Sequence, residues 1–208
     1  MCGIIAVLRR RSDRPVPSST DLLAGLDGVA GSVSSAEVAD LHAALTDVAG
    51  RLEAVNDQLR GTQGVRALLD QPGLDRELER VVGGVESAIA AREAELDDST
   101  VTPAVLEAIN AAVIRLKDAA WAVGRDRVRT ARAVADIAGP DPARSTVEAL
   151  TAVQAALSAI DRLEVRGRDS AGINVLVRGH GLDLAEPTVA ALLESSLGDR
   201  LFTDGAVR

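Results

Sequence analysis

Between residues 38 and 59 the apolar side chains fall at alternating steps of three and four: Val38, Leu41, Leu45, Val48, Leu52, Val55 and Leu59. A strand, with its period of two, would scatter these residues over both faces. An α-helix gathers them on one stripe. Spacing of this kind demands a second apolar surface, in the same chain or in another. Ser34 with Glu37 is a capping-box signature for the start of the helix, and Gly61 and Gly64 mark its end.

Further stripes follow. Leu74, Leu78, Val81, Val85, Ile89 and Leu96 form a second one, with Gly83 and Gly84 weakening its middle. A third helix opens at Thr102-Pro103, a cap followed by proline at the first helical position. Its seam runs Leu106, Ile109, Val113, Leu116, Ala120, Val123 and continues to about Ala138, where Gly139-Pro140-Asp141-Pro142 breaks it. A fourth starts at Ser145, again with a capping box (Glu148), and shows Leu150, Val153, Leu157 and Ile160. The chain has one Trp, one Phe and no Tyr. Its core must therefore be aliphatic, which suits helices packed on helices. A helical hairpin or small bundle is expected over 22–138.

The two ends read differently. Gly3 to Leu8 is a continuous apolar run that reads as a strand buried on both faces. Residues 9–20 hold Pro15 and Pro17 and read as a loop. Near the C-terminus, Ile173 to Val177 reads as a strand, Arg178-Gly179-His180-Gly181 as a turn and Leu182 to Leu184 as a returning strand. A short helix is expected from Glu186-Pro187 to near Leu197. The net charge of −8 argues against a nucleic-acid surface. No apolar run approaches the roughly 20 residues of a membrane helix. The arginines at 9–11 follow a short apolar stretch, the reverse of a signal peptide. A single cysteine excludes internal disulfides, and the expected compartment is the cytoplasm.

That cysteine is Cys2, directly after the initiator Met. Removal of Met1 would place a thiol and a free α-amino group on one residue. Their reference pKa values are about 8.5 and about 7.7–8.0. Near neutral pH much of the amine is unprotonated, and it can take the thiol proton and later return it to a leaving amine. Nucleophile and base then sit on one residue, and no histidine is needed. His42 falls beside the first seam, as a surface or flank residue, and His180 falls in a glycine-rich turn. On its own, Met-Cys-Gly also fits a small residue buried at a strand edge.

A second segment adds weight to Cys2. Arg162-Leu163-Glu164-Val165-Arg166-Gly167-Arg168-Asp169-Ser170-Ala171-Gly172-Ile173 resembles the stretch Arg-Leu-Glu-Tyr-Arg-Gly-Tyr-Asp-Ser-Ala-Gly-Ile of the glucosamine-6-phosphate synthases, which also begin Met-Cys-Gly-Ile. Ten of the twelve positions match, and the departures, Val165 and Arg168, each replace Tyr. The amidophosphoribosyltransferases resemble the segment less well. The resemblance implies a class II glutamine amidotransferase with the αββα sandwich of the N-terminal-nucleophile hydrolases. Cys2 would attack the side-chain amide of glutamine, giving a thioester and ammonia, and water would then release glutamate. Ammonia would pass to a sugar phosphate, converting fructose 6-phosphate to glucosamine 6-phosphate. Gly3 would help hold the nucleophile, and Arg166 would order its surroundings. Gly167 would allow close backbone approach, and Asp169 and Ser170 would fix the turn.

The resemblance covers Met1 to Leu8 and roughly Ser145 to Val177. The expected fold is accordingly α+β: a partial sandwich from residues 1–20 and 139–208, interrupted by a helical insertion over 21–138. The family's Thr-Arg-Trp-Ala-Thr-His-Gly segment, its oxyanion Asn-Gly pair, its acidic residue for the glutamine amino group and its sugar-isomerase domain have no counterpart in the chain. The 208 residues are therefore expected to be an N-terminal fragment, incomplete for catalysis. No metal-ligand spacing, phosphate-binding glycine loop or cofactor motif is present, so neither metal nor cofactor is expected. The competing reading is a helical interaction module, a homo-oligomer formed through the heptad seams on a degenerate amidotransferase scaffold.

Overall fold

A computed structural model of the chain describes residues 4–8, 12–97, 101–163, 173–176, 181, 183 and 185–197. Among the described residues there are nine α-helices and no strand. They are α1 (Ser19–Gly25), α2 (Val29–Ser35), α3 (Val38–Gln58), α4 (Gly61–Asp70), α5 (Leu74–Asp97), α6 (Pro103–Trp121), α7 (Val128–Ala138), α8 (Arg144–Leu163) and α9 (Pro187–Leu197). A π-helical turn, Ala122–Arg127, joins α6 to α7. The chain divides into two compact units, Met1–Ala171 and Gly172–Arg208, and α9 is the helix of the second.

The expected α+β sandwich is thereby corrected: the described residues are all-helical. The run read as a buried strand and the run read as a second strand lie outside any regular element where they are described, and of the expected returning strand Leu182 and Leu184 lie outside the described residues. Ile4 is 96% exposed, and Leu176 is 82% exposed. An apolar run becomes a strand only when a neighbour pairs with its N–H and C=O groups. No described segment does so here, and the helices close a core without these residues.

That core is aliphatic, as the lack of aromatic residues requires. Leu41, Leu45, Val48 and Leu52 of α3 are fully buried, as are Ile109, Leu116 and Ala120 of α6. The packing of α3 on α6 is the largest helix contact in the unit, α2 lies on α5, and α8 lies on α7 and α4. Trp121 stands at the surface. Burying one leucine contributes about 1.5–3 kcal/mol, so the α3 stripe alone is a major part of the fold's stability.

Several helix boundaries depart from expectation. Ser34 lies inside α2, and Glu37 itself is the N-cap of α3, with no side-chain cap bond. The second capping box is also displaced: α8 begins at Arg144, whose Nε donates to Glu148 at 2.9 Å. Gly61 and Gly64 do not simply end α3, because they open α4. Gly83 and Gly84 leave α5 continuous. At α1 the cap is formed by Ser18, whose Oγ accepts from the Asp21 N–H at 3.1 Å. Arg51 of α3 donates to the Gly25 carbonyl at the end of α1 at 2.8 Å and to the Asp27 carbonyl in the turn that follows at 2.6 Å. Thr102-Pro103 does open α6, and Gly139, at φ +73°, does close α7.

Candidate functional site

The residues read as the chemical centre, Cys2, Gly3, Arg166, Gly167, Asp169 and Ser170, all lie outside the described residues, and so does His180. His42 is exposed on α3, on the flank of the stripe as expected. What the structure describes is the ground on either side of the signature segments. On the C-terminal side, α8 runs to Leu163, inside the amidotransferase-like segment, and residues 173–176, which begin at the last residue of that segment, have no helical structure.

On the N-terminal side, residues 12–19 are fastened to the corner between α3 and α4. Arg14 donates from Nη1 to the Asp57 carbonyl at 2.9 Å and from Nη2 to the Arg60 carbonyl. Gln63, only 2% exposed, donates from Nε2 to the Ser12 carbonyl at 3.1 Å. Gln71, at the end of α4, donates to the Pro17 carbonyl at 2.9 Å and accepts from the Ser19 N–H at 2.5 Å. Val16 packs against the core between these ties. The loop that carries Pro15 and Pro17 is thus held by two side chains of the bundle, Gln63 and Gln71, and by its own Arg14.

Elsewhere the surface carries two open clefts on either side of α6. One, of about 400 Å³, lies between α3 and α6 and is lined by Glu53, Asn56, Ala111, Ile114, Arg115 and Asp118, among others. The other, of about 440 Å³, lies between α5 and α6 and is lined by Glu86, Ala90, Glu93, Lys117, Asp118 and Trp121. Their walls are ion pairs. Arg115 meets Glu53 through two bonds of 2.7 Å, and Lys117 meets Glu93 at 2.7 and 2.8 Å. The Arg115 hydrogen bond holds the Glu53 carboxyl below the usual carboxylate range. Arg132 of α7 does the same to Asp75 while also pairing with Glu79. A carboxyl held low in the folded state stabilises the fold above its unfolded pKa. That contribution is lost as pH falls through the folded value. For these exposed pairs it is small and weakens with salt.

Neither cleft contains a histidine or cysteine, and Glu53 and Glu93 already have cationic partners. Among the described residues no group of three or more metal-ligating side chains occurs. No described helix is long and apolar enough to cross a membrane. The pairs lining the clefts were not foreseen from the sequence. Glu53 and Arg115 lie on separate helices, and no local motif links them. No family model, curated protein or solved structure matches the chain.

Proposed function

We propose that the chain is part of a cytoplasmic glutamine amidotransferase in which Cys2, freed by removal of Met1, is the nucleophile. The observation that carries this reading is the twelve-residue segment Arg162–Ile173 standing behind a Met-Cys-Gly-Ile start. The cysteine thiolate attacks the carboxamide carbon of glutamine. The C–N bond breaks, and the leaving nitrogen takes the proton held by the α-amino group and departs as ammonia. Water then cleaves the thioester, giving glutamate and restoring the thiol. The ammonia is passed to a sugar phosphate. The helices around α3 and α6 serve as scaffold.

Intact-mass measurement after incubation with an electrophilic glutamine analogue tests it, on this chain and on any longer gene product side by side. The expected result for a product that carries the substrate site is loss of Met1 and one adduct, with none on Cys2→Ala. A product that keeps Met1 and takes no adduct removes the nucleophile.

A second reading, an interaction module that pairs with a copy of itself, is favoured by the outward face of α6. The two heptad seams are spent inside the chain: Leu45 and Leu52 of the first and Ile109 and Leu116 of the second are fully buried. The surface keeps Ile114, 62% exposed, and Trp121, 54% exposed, one heptad apart. They form a ridge with a cleft on each flank. Two copies can each seat that ridge in the other's cleft, the ridge-and-groove geometry of packed helices. Sedimentation velocity is expected to show a dimer that Trp121→Glu converts to monomer. A monomer at every concentration excludes this reading.

A further inference from the structure

The outward face of α6 carries a charge pattern as well as a ridge. One stripe of exposed residues runs along the helix and into the π-helical turn: Glu107, Ala111, Ile114, Asp118, Trp121 and Arg125. They follow one another at steps of four and three, so they share one side of the helix. The buried seam through Ile109, Val113 and Leu116 faces the other way. Beside the stripe the charges are settled inside the chain, Arg115 on Glu53 and Lys117 on Glu93. On the stripe they are not: the side chains of Glu107, Asp118 and Arg125 make no ion pair or hydrogen bond among the described residues.

Water can hold an exposed charge, so the informative feature is the order of these residues. Two copies meeting on this face have two orientations open to them. If the helices run parallel, the two-fold axis sets each residue against its own copy. Glu107 then faces Glu107, Asp118 faces Asp118 and Arg125 faces Arg125, and every charged contact is repulsive. If they run antiparallel, with the axis crossing α6 at the level of Leu116, residues equally far before and after that level face each other. Glu107 then stands opposite Arg125 of the other copy, and the contact occurs twice. Trp121 stands opposite Ala111, the small residue of the stripe and part of the wall of the 400 Å³ cleft. Asp118 stands one residue from Arg115, which binds Glu53 through Nε and Nη2 and keeps Nη1 for a further acceptor. Slipping this arrangement by seven residues sets Glu107 against Asp118 in one direction and Trp121 against Asp118 in the other. One register alone satisfies both charge and size.

We propose that the chain forms an antiparallel two-fold dimer through α6, in the register set by Glu107 with Arg125 and by Trp121 over Ala111. The proposal rests on the reading of this face as a self-pairing surface, and adds the orientation and the residues that decide it. The apolar ridge supplies the affinity. Exposed ion pairs contribute little to that, and act instead by rejecting the wrong register.

Two measurements on the full chain test it. Glu107→Lys and Arg125→Glu, both at exposed sites, are each expected to raise the dimer dissociation constant about tenfold in sedimentation velocity, because each turns two attractive contacts into repulsive ones. An equimolar mixture of the two variants is expected to recover the affinity of the parent, since both contacts of the mixed dimer are attractive again. Orientation is read by pulsed electron resonance from a nitroxide on Ala104→Cys in a Cys2→Ala chain. Position 104 lies twelve residues before the axis in each copy, which places the two labels about 35 Å apart; a parallel dimer places them about 10 Å apart. A parent that stays monomeric, or a dimer that Trp121→Glu leaves intact, overturns the self-pairing reading of this face and the proposal with it. A dimer that Trp121→Glu dissociates, but whose labels lie about 10 Å apart or whose mixed variants bind no more tightly than each alone, keeps the face and overturns the register.

Discussion

Replacing Gly64 by alanine is expected to cost about 3 kcal/mol of stability. A Cβ on Gly64 would lie 1.8 Å from the carbonyl oxygen of Leu59, 2.1 Å from its carbon and 2.5 Å from its Cα. All three atoms are backbone, so no side chain can rotate away. The end of α3 and the first turn of α4 would have to separate, pulling at Val65 and Ala67, which are buried in the core. Gly61, three residues earlier, gives the contrast. It sits at φ +67° with open space around it, so alanine there meets only backbone strain, about 1 kcal/mol. Urea unfolding separates the two: both midpoints fall, Gly64→Ala by far the more, at unchanged slope. Equal midpoints would mean that the corner between α3 and α4 is looser than these distances require.

Leu52→Ala is expected to cost about 3 kcal/mol, within the range for a buried leucine whose surroundings cannot collapse. Leu52 is fully buried on α3, which carries helices on several sides. In a core of Leu, Val, Ile and Ala no large ring stands ready to swing into the space. Val38 begins the same seam but is 39% exposed, and Val38→Ala is expected to cost within about 0.5 kcal/mol. The two substitutions distinguish a seam buried along most of its length from one that matters equally throughout, and the same urea measurement reads both.

The stripes that made helices legible were those long enough to show a period. Those of α3, α5 and α6 were readable because six or seven apolar residues repeat the step, and that of α8 because four do. Thr102-Pro103 and Gly139 were readable because each acts through local backbone chemistry. The helices α1 and α2 have seven residues each, too short to show a period, and they are held by distant partners such as Arg51. The capping boxes misled for a related reason. The pattern Ser-x-x-Glu is satisfied as well by a serine in a preceding helix as by one at the cap. The strands misled because apolarity records a wish for burial and not a partner for the backbone. Of the candidate site, the chemistry of Cys2 and the segment Arg162–Ile173 were visible in the sequence. The ties of Arg14, Gln63 and Gln71 were not, since they join residues some forty to fifty positions apart and follow no motif.

The wide turn at Ala122–Arg127 sets how this chain tolerates changes in its length. Along α6 the buried positions advance by three or four, through Leu116, Ala120 and Val123. Val123 and Gly124 are both buried, and Val128, Ala131 and Val134 follow on α7. The turn holds one surplus residue, spread over a loop of backbone wider than an α-turn. Were these six residues wound as ordinary helix, α7 would be rotated by about 100° and its buried face turned to water. Losing one residue within the turn lets it wind as ordinary helix with α7 facing as before. Anywhere else in α6 or α7, a one-residue deletion breaks the phase between the two helices. A family of such chains could vary in length at this point with both helices still facing the core.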